Sequence, residues 1–259
     1  MLEVIDKGSA TEAHPVPLLF VHGAWHAASC WDEGFLDFFV DKGFRVLAFS
    51  LRGHGGSAAP RPLRFISMAD YLQDVATVAA DLPTPPVLIG HSMGGYIVQK
   101  YLETKHAPAG VLLASVPSRG SGLLFLRWTK LHPWQMTRAT FTGRSLPIVG
   151  SSTTRVREKF YSPQTPETDI CRYAALLQEE SQRAILGCLR MTRPKRVQTP
   201  MLVLAASYDG CFTVKEAHAT ARAYGTEAEI FNMGHNMMLE PGWQAVAERI
   251  DGWLTGRGL

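Results

Sequence analysis

A serine framed by glycines stands at the junction of two sequence patterns. Gly90, Ser92 and Gly94 match G-x-S-x-G, a pattern in which the serine hydroxyl acts as a nucleophile. The apolar run 86–90 predicts a buried strand before the serine, and 93–103 predicts a helix after it. A sharp turn between them would raise the hydroxyl above the sheet, and the glycines would relieve the crowding. The alternative is a serine N-cap, which would not require glycine on both sides.

The elements that would position this serine alternate between strand and helix. Strands are predicted over 17–23, 45–50, 86–90, 110–115, 201–209 and 228–233, and helices near 30–43, 67–79, 93–103, 213–224 and 243–254. Short connections between such elements indicate a parallel sheet covered by helices. The alternation stops at Val116 and resumes at Met201. The sequence therefore predicts an α/β core made of 1–116 and 199–259, with a helical lid inserted over 117–198.

These features together resemble a known superfamily. The chain resembles the α/β-hydrolases in its strand order, in the HGAW loop at 22–25, in the GHSMGG turn at 90–95 and in a late aspartate and histidine. The resemblance implies the α/β-hydrolase fold, with a mostly parallel central sheet and helices on both faces. It covers nearly the whole core. It is poor over 117–198, as expected for a segment that sets the substrate.

The resemblance also implies an acid and a base, because the family order is serine, then acid, then histidine. Asp209 ends the predicted strand 201–209, and His235 follows the strand 228–233. Both would lie at the carboxyl edge of the sheet, where Ser92 lies. Serine is a weak nucleophile at neutral pH and needs a base. The implied roles are nucleophile for Ser92, general base and then acid for His235, and orientation of the imidazole for Asp209.

Other histidines compete for the role of base, since the chain has nine. His22, His54 and His91 also lie in loops near this edge, whereas His218 falls within a predicted helix. We expect His91 to point away from the serine hydroxyl and His22 to brace the loop that follows the first predicted strand. Some family members place the acid after the strand matching 110–115, but no carboxylate follows it here.

The oxyanion of the reaction needs two backbone N–H donors. We expect them from Met93, directly after the nucleophile, and from Ala24 in the loop after the first predicted strand. This loop looks like that of the plant methylesterase and hydroxynitrile lyase branch. Those lyases carry a threonine and a lysine where this chain has Gly23 and Asn236. Ester hydrolysis is therefore favoured over cyanohydrin cleavage, and Ser92 argues against the aspartate-dependent epoxide hydrolases and dehalogenases.

The lid segment, residues 117–198, is aromatic and basic. The predicted substrate pocket comprises Trp25, His22, Trp128, Trp134, Met136 and Phe141. Aromatic residues in this segment could instead pack the lid onto the core. The segment has eleven arginines and three lysines against five carboxylates, a net charge of +9. A solvated arginine-rich face explains this charge better than attraction of an anionic substrate or lipid surface, which stays open.

Composition restricts the remaining classes of function. The net charge of +3 is too small to indicate nucleic-acid binding. No apolar run approaches the roughly 20 residues that span a bilayer, and the N-terminus lacks a signal-peptide pattern. Four cysteines without metal-ligand or redox spacing indicate free thiols in the cytoplasm. The glycine-rich loop 51–57 lacks the lysine of a P-loop, so no nucleotide is assigned; its Arg52 could pair with a buried carboxylate.

The sequence thus predicts a serine hydrolase that cleaves small to medium carboxylic esters, lactones or thioesters through an acyl-enzyme on Ser92. Neither a metal nor a cofactor is expected. One alternative is a cofactor-free oxygenase or carbon–carbon-cleaving enzyme that uses the His235–Asp209 pair, and another is a ligand receptor on the same scaffold. The expected partner is a small-molecule ester, without nucleic acid or stable membrane insertion. A homodimer is left open.

Overall fold

The computed structural model describes residues 1–150 and 152–259, and its centre is a seven-stranded sheet. The strands are β1 (Val4–Lys7), β2 (Leu18–Val21), β3 (Val46–Phe49), β4 (Val87–His91), β5 (Gly110–Leu113), β6 (Met201–Tyr208) and β7 (Ala228–Gly234). Their order across the sheet is β1-β3-β2-β4-β5-β6-β7. All neighbours are parallel except β1 and β3, which are antiparallel. The predicted mostly parallel sheet is confirmed.

The middle of the sheet is the core of the molecule. Every residue of β2, β3, β4 and β5 is buried. Successive side chains of a strand point to opposite faces, so both faces of this sheet are covered. This explains why these strands read as continuous apolar runs. The edge strand β1 was not predicted, because its four residues are exposed or half-buried and form no apolar run.

The described residues also form eleven α-helices. They are α1 (Phe35–Asp41), α2 (Met68–Ala80), α3 (Met93–Leu102), α4 (Gly122–Leu131), α5 (Pro133–Thr142), α6 (Leu146–Val149), α7 (Thr153–Phe160), α8 (Glu167–Ala175), α9 (Gln182–Gly187), α10 (Val214–Ala223) and α11 (Trp243–Thr255). Helices α4 to α9 occupy the lid segment, whose described residues contain no strand. That this segment acts as a lid stays a prediction. Among the described residues, no helix combines the length and apolar character needed to cross a membrane.

The glycine-rich loop 51–57 is fixed to α2 by a buried ion pair. The carboxylate of Asp74, whose side chain is 2% exposed, accepts hydrogen bonds from Arg52 Nε at 2.8 Å and Nη2 at 2.5 Å. Arg52 Nη1 also lies 3.3 Å from Asp70. Asp70 accepts a hydrogen bond from the backbone N–H of Ser67 at 2.7 Å and completes the capping box of α2. The expected pairing of Arg52 with a buried carboxylate is thus present.

The lid segment is fastened to the core by a buried polar cluster. Glu180 accepts a hydrogen bond from the Tyr71 hydroxyl at 2.6 Å, and its other carboxylate oxygen lies 3.2 Å from His54 Nε2. Burial alone would lower the pKa of His54, but the charge of Glu180 raises it above its ordinary value. Two residues earlier, Gln178 donates its backbone N–H to the carbonyl of Trp25 at 2.9 Å. The lid therefore contacts both the 51–57 loop and the loop after β2.

Candidate active site

The turn between β4 and α3 holds Ser92 in a strained conformation, with φ 52° and ψ −115°. Its N–H donates to the carbonyl of Leu113 at 3.0 Å, which ties the turn to β5. A Cβ atom at Gly90 would lie 2.5 Å from the carbonyl oxygen of Gly94, and one at Gly94 would overlap the carbonyl of Val21. Both glycines are therefore required by close backbone approaches, and the serine is more than a helix cap.

The structure brings Ser92, His235 and Asp209 together in one hydrogen-bonded chain. His235 Nε2 lies 2.9 Å from Ser92 Oγ, and His235 Nδ1 lies 2.9 Å from Asp209 Oδ2. The other carboxylate oxygen of Asp209 accepts backbone N–H bonds from Cys211 at 2.6 Å and Phe212 at 2.9 Å. Since an ionised carboxylate only accepts hydrogen bonds, the neutral form of His235 carries its proton on Nδ1, and in that form Nε2 is free to accept the serine proton.

Charge separates His235 from the three other histidines buried near Ser92. Burial alone would lower the pKa of His235, but the charge of Asp209 and its hydrogen bond raise it above the ordinary value. Burial lowers the pKa of His22 and His91 far below that value, and that of His26 to about 4. Of these four histidines, only His235 is hydrogen-bonded to a carboxylate through its ring, so it is the strongest base among them.

Two of the neutral histidines hold the backbone around the triad. His91 Nε2 donates to the main-chain carbonyl of His235 at 3.0 Å, so its ring points away from the serine hydroxyl. His22 Nδ1 donates to the carbonyl of Gly23 at 2.8 Å, and its Nε2 accepts the N–H of Leu51 at 3.0 Å. The assignment of His22 to the substrate pocket is wrong, because its ring is fully buried beneath the loop and braces it.

A third histidine, His26, was missed by the sequence analysis. Its Nδ1 donates to the carbonyl of Ala24 at 2.8 Å, and its Nε2 accepts from Asn236 Nδ2 at 3.2 Å. Asn236 also donates to the Tyr161 hydroxyl at 3.0 Å. The network joins the loop after β2 to the residue that follows His235. The only sequence signal for it was a second histidine four residues after His22.

The proposed oxyanion donors lie beside the nucleophile. Ala24 and Met93 line the same cavity as Ser92. Met93 is the first residue of α3, where backbone N–H groups have no helical partner and the helix dipole is positive. The next residue of the other loop, Trp25, has a positive φ of 66° and donates Nε1–H to Ser145 Oγ at 3.1 Å. The lid segment therefore helps to fix the loop that carries Ala24.

The cavity beside Ser92 has a volume of about 180 Å³ and a mainly apolar wall. Its large apolar lining residues are Trp25, Met93, Val116, Leu124, Phe125, Trp128, Met136, Ile148, Ile185, Leu186 and Phe212. Of the predicted pocket residues, Trp25, Trp128 and Met136 line it. Trp134 and Phe141 do not, since they are 72% and 85% exposed. Trp134 and Phe141 are seven residues apart, which is about two helical turns, so they share one face of α5. Met136 follows Trp134 by two residues and therefore lies on the opposite face.

Polar side chains at the cavity differ in whether they are already bonded. Ser145 Oγ accepts from Trp25 Nε1 and donates to the carbonyl of Glu180 at 3.0 Å. The hydroxyl of Thr140 donates to the carbonyl of Met136 within α5. Ser121, which also lines the cavity, has a buried hydroxyl without a hydrogen-bond partner in the described structure. Among the described residues that line the cavity, Ser121 is the one whose hydroxyl is free to bind a polar atom of a ligand.

The positive charge of the lid segment is directed elsewhere. Among the described residues of this segment, no arginine or lysine lines the cavity. Lys159 is buried, but its ammonium lies 4.6 Å above the Trp128 ring and 3.0 Å from His132 Nε2. Burial lowers the pKa of this lysine. The described lining therefore offers no cationic side chain to an anionic ligand.

One group of potential metal ligands exists in the described part of the chain. Ligand atoms of Asp209, Cys211 and His235 all lie within 4.8 Å of one another. Asp209 and His235 are already bonded to each other, so a metal ion would have to displace that hydrogen bond. Burial raises the pKa of the Cys211 thiol, which disfavours the thiolate that metals bind. The residues therefore fit a triad better than a metal site.

The departures from the lyase pattern have a structural basis. A Cβ atom at Gly23 would lie 2.9 Å from His91 Nδ1 and 3.0 Å from Ser92 Cβ. The threonine of the lyases would not fit here without moving the nucleophile. Asn236 is fully buried, and its amide is used by His26 and Tyr161. The chain therefore has neither the hydroxyl nor the ammonium of that pattern.

Comparison with known proteins gives the family. Residues 18–249 match the model of the Alpha/beta hydrolase family. The chain belongs to this family. A non-heme chloroperoxidase of Burkholderia pyrrocinia is 41% identical over 108 residues, which are 39% of this chain and 37% of that protein. A pFDCC methylesterase of Arabidopsis thaliana is 28% identical over 218 residues, or 79% of this chain and 81% of the relative.

A solved structure supports the same fold. A thermophilic esterase from Thermogutta terrifontis superposes with a TM-score of 0.79 at 21% identity, covering 100% of this chain and 94% of that one. The predicted α/β-hydrolase fold is confirmed. The alignment with the chloroperoxidase spans little more than a third of that relative.

Proposed function

We propose that this α/β-hydrolase cleaves small to medium carboxylic esters through an acyl-enzyme on Ser92. The observation that carries the proposal is the hydrogen-bonded chain from Ser92 Oγ through His235 to Asp209, which opens onto an apolar cavity. The base has a raised pKa and the nucleophile lies within proton-transfer distance of it. Similarity to a methylesterase over most of the chain supports ester hydrolysis.

Acylation begins when Ser92 Oγ attacks the ester carbonyl carbon while His235 Nε2 accepts the hydroxyl proton. The carbonyl oxygen becomes an oxyanion and receives hydrogen bonds from the N–H groups of Ala24 and Met93. Asp209 stabilises the imidazolium that forms. The carbon–oxygen bond to the leaving group then breaks, and His235 returns its proton to the departing alcohol.

Deacylation repeats the sequence with water. His235 Nε2 accepts a proton from a water molecule as its oxygen attacks the acyl carbon. The second oxyanion uses the same two N–H donors. The bond to Ser92 Oγ breaks, the serine recovers its proton from His235, and the carboxylic acid leaves. Neither stage changes an oxidation state, so no oxidant or reductant is needed.

The cavity supports the choice of substrate. Its wall is mainly apolar and, among the described residues, holds no arginine or lysine, so an acyl chain would be bound by burial of apolar surface. Short and medium acyl chains are the occupants we propose for this apolar cavity. Lactones and thioesters would use the same steps.

Hydrolysis of a series of p-nitrophenyl esters from acetate to laurate tests the proposal. We expect kcat/KM to be highest for the short and medium members. Ser92→Ala should lower turnover by about 10⁴- to 10⁶-fold. Ser207→Ala, at an exposed serine, is the matched control and should retain activity. A Ser92→Ala residual within about tenfold of wild type would contradict the acyl-enzyme.

Two rivals give different results in the same preparation. A cofactor-free oxygenase would consume oxygen with a heteroaromatic substrate, and that activity would survive Ser92→Ala because the His235–Asp209 pair is kept. A hydrolase-fold receptor would retain its ligand and turn it over slowly. The name of the chloroperoxidase relative gives a reason to include the oxidative assay.

The cytoplasm is the compartment we propose. Its support is that Cys30, Cys171, Cys188 and Cys211 are all free thiols.

A further inference from the structure

We propose that the lid segment binds the surface of anionic phospholipid membranes through one side of α4 and α5. The side chains that form this outer face are Leu123 and Leu126 of α4 and Trp134 and Phe141 of α5, and Leu131 is exposed at the C-terminal end of α4. Binding at this surface is independent of the ester hydrolysis proposed above.

The outer face is apolar and exposed. Leu123 and Leu126 of α4 are 58% and 61% exposed, and Leu131 at its end is 66% exposed. Trp134 and Phe141 of α5 are more exposed still, at 72% and 85%. Single exposed leucines are common on proteins, but five large apolar side chains on two helices in contact indicate a binding surface.

Each of the two helices has a second apolar side, and that side lines the cavity beside Ser92. Leu124, Phe125 and Trp128 of α4 line the cavity, as do Met136 and Ala139 of α5. Filling the core therefore does not account for the outer leucines and aromatics. A helix that is apolar on both sides needs an apolar environment on both sides.

Charge identifies the partner. Residues 117–157 contain six arginines and one lysine but no aspartate or glutamate. Three of these arginines pair with carboxylates from outside this stretch: Arg127 with Glu216, Arg144 with Glu179 and Arg157 with Glu167. Lys130 and Arg138 are exposed on the same two helices as the outer face. Leucine and aromatic side chains interleaved with cations are suited to an anionic lipid surface, where the cations meet headgroup phosphates. A symmetric contact of this face with the same face of a second copy would instead bring like charges together.

The length of the two helices limits how deeply they could enter the membrane, and their position sets where the cavity would lie. Helices α4 and α5 have ten residues each, which is too short to cross a bilayer. They would lie at the headgroup level, with the side that lines the cavity facing the protein. Apolar molecules dissolved in the membrane would then be close to the apolar cavity beside Ser92.

Flotation of the full chain with lipid vesicles tests the proposal. We expect binding to phosphatidylcholine vesicles that contain phosphatidylglycerol, weak binding without it, and a decrease as salt is raised. The double variants Trp134→Ser/Phe141→Ser and Lys130→Glu/Arg138→Glu should each lower vesicle binding by about tenfold or more. Lys105→Glu/Arg222→Glu makes the same charge change at two exposed positions outside the lid segment and should bind as wild type.

Two further readouts distinguish membrane binding from a loss of folding and from self-association. Trp134→Ser/Phe141→Ser should keep its melting temperature and its hydrolysis of a dissolved short ester. Absence of binding to phosphatidylglycerol vesicles at low salt would overturn the proposal, as would unchanged binding by both variants. Sedimentation velocity that shows a dimer abolished by Trp134→Ser/Phe141→Ser, without vesicle binding, would assign the face to a second copy instead.

Discussion

The ring of His91 donates a hydrogen bond from Nε2 to the main-chain carbonyl of His235, 3.0 Å away. The base is thus held twice, by Asp209 at its ring and by His91 at its backbone. His91 is the residue directly before the nucleophile, so one dipeptide supplies both the serine and the support of its base. Burial keeps the pKa of His91 low, and this neutral donor does not compete for the serine proton.

Asp209→Asn should lower turnover and move its pH dependence. His235 must be neutral to accept a proton, so activity appears as pH rises through its pKa. Asp209 raises that pKa, and its removal should shift the acid limb of kcat/KM to lower pH. Loss of the correct tautomer should cost about 10³- to 10⁴-fold in kcat. Asp70→Asn, at a carboxylate beside Arg52, should leave the limb in place; an unmoved limb in Asp209→Asn would exclude this coupling.

Gly23→Thr should inactivate the enzyme rather than convert it to a lyase. The new Cβ would approach His91 Nδ1 and Ser92 Cβ to about 3 Å, so the nucleophile or its loop must shift. We expect at least about a 100-fold loss of esterase activity, since small misplacements near the reacting atoms are that costly. Gly252→Ala, where nothing lies within 4 Å of a new Cβ, is the control and should be neutral. Full esterase activity in Gly23→Thr would show that the loop is compliant.

Removal of the hydroxyl should change the free energy of unfolding differently at two serines that line the cavity. Ser121 Oγ has no partner in the described structure, so Ser121→Ala should leave the free energy of unfolding within about 0.5 kcal/mol or raise it. Ser145 Oγ bonds to Trp25 and to the backbone of Glu180. Ser145→Ala should therefore cost about 1–3 kcal/mol. Urea titration of both variants measures the difference, and equal destabilisation would refute the distinction.

Glu180→Gln should remove a pH-dependent part of the stability. The pKa of His54 is raised in the folded state, so the pair stabilises fully below the unfolded value of about 6.5 and is lost as pH rises through the raised pKa. The gap in unfolding free energy between wild type and Glu180→Gln should thus narrow as pH increases. Glu179→Gln is the control, because Glu179 contacts Arg144 and backbone N–H groups but no histidine in the described structure. A gap that widens with pH would contradict the assignment.

The sequence predicted the core well because burial on both faces of a parallel sheet leaves a strong pattern. Strands β2 to β7 lie within about two residues of the expected segments. The glycines around Ser92 mark the turn, since close backbone contacts leave no room for other residues. The first predicted helix was less accurate: α1 begins at Phe35, after a separate 3₁₀ turn at Ala28–Trp31.

Features that depend on distant contacts were not visible in the sequence. Strand β1 is defined by its antiparallel pairing with β3 rather than by its own four residues. The sequence places Trp134 and Phe141 in the pocket because aromatic residues of a lid segment can line it, but their side of α5 is set by how the helix packs. The contact of His26 with Asn236 joins residues 210 positions apart. Local patterns carry no record of such contacts.

Labelling of the purified protein with a fluorophosphonate tests the central claim most directly, because the probe reacts with an activated serine and needs no substrate to be known. Intact mass and peptide mapping should show a single adduct on Ser92. The adduct should be lost in Ser92→Ala and His235→Ala, and kept in Ser207→Ala. A folded wild-type protein that remains unlabelled, or a label at another serine, would contradict an acyl-enzyme mechanism at Ser92.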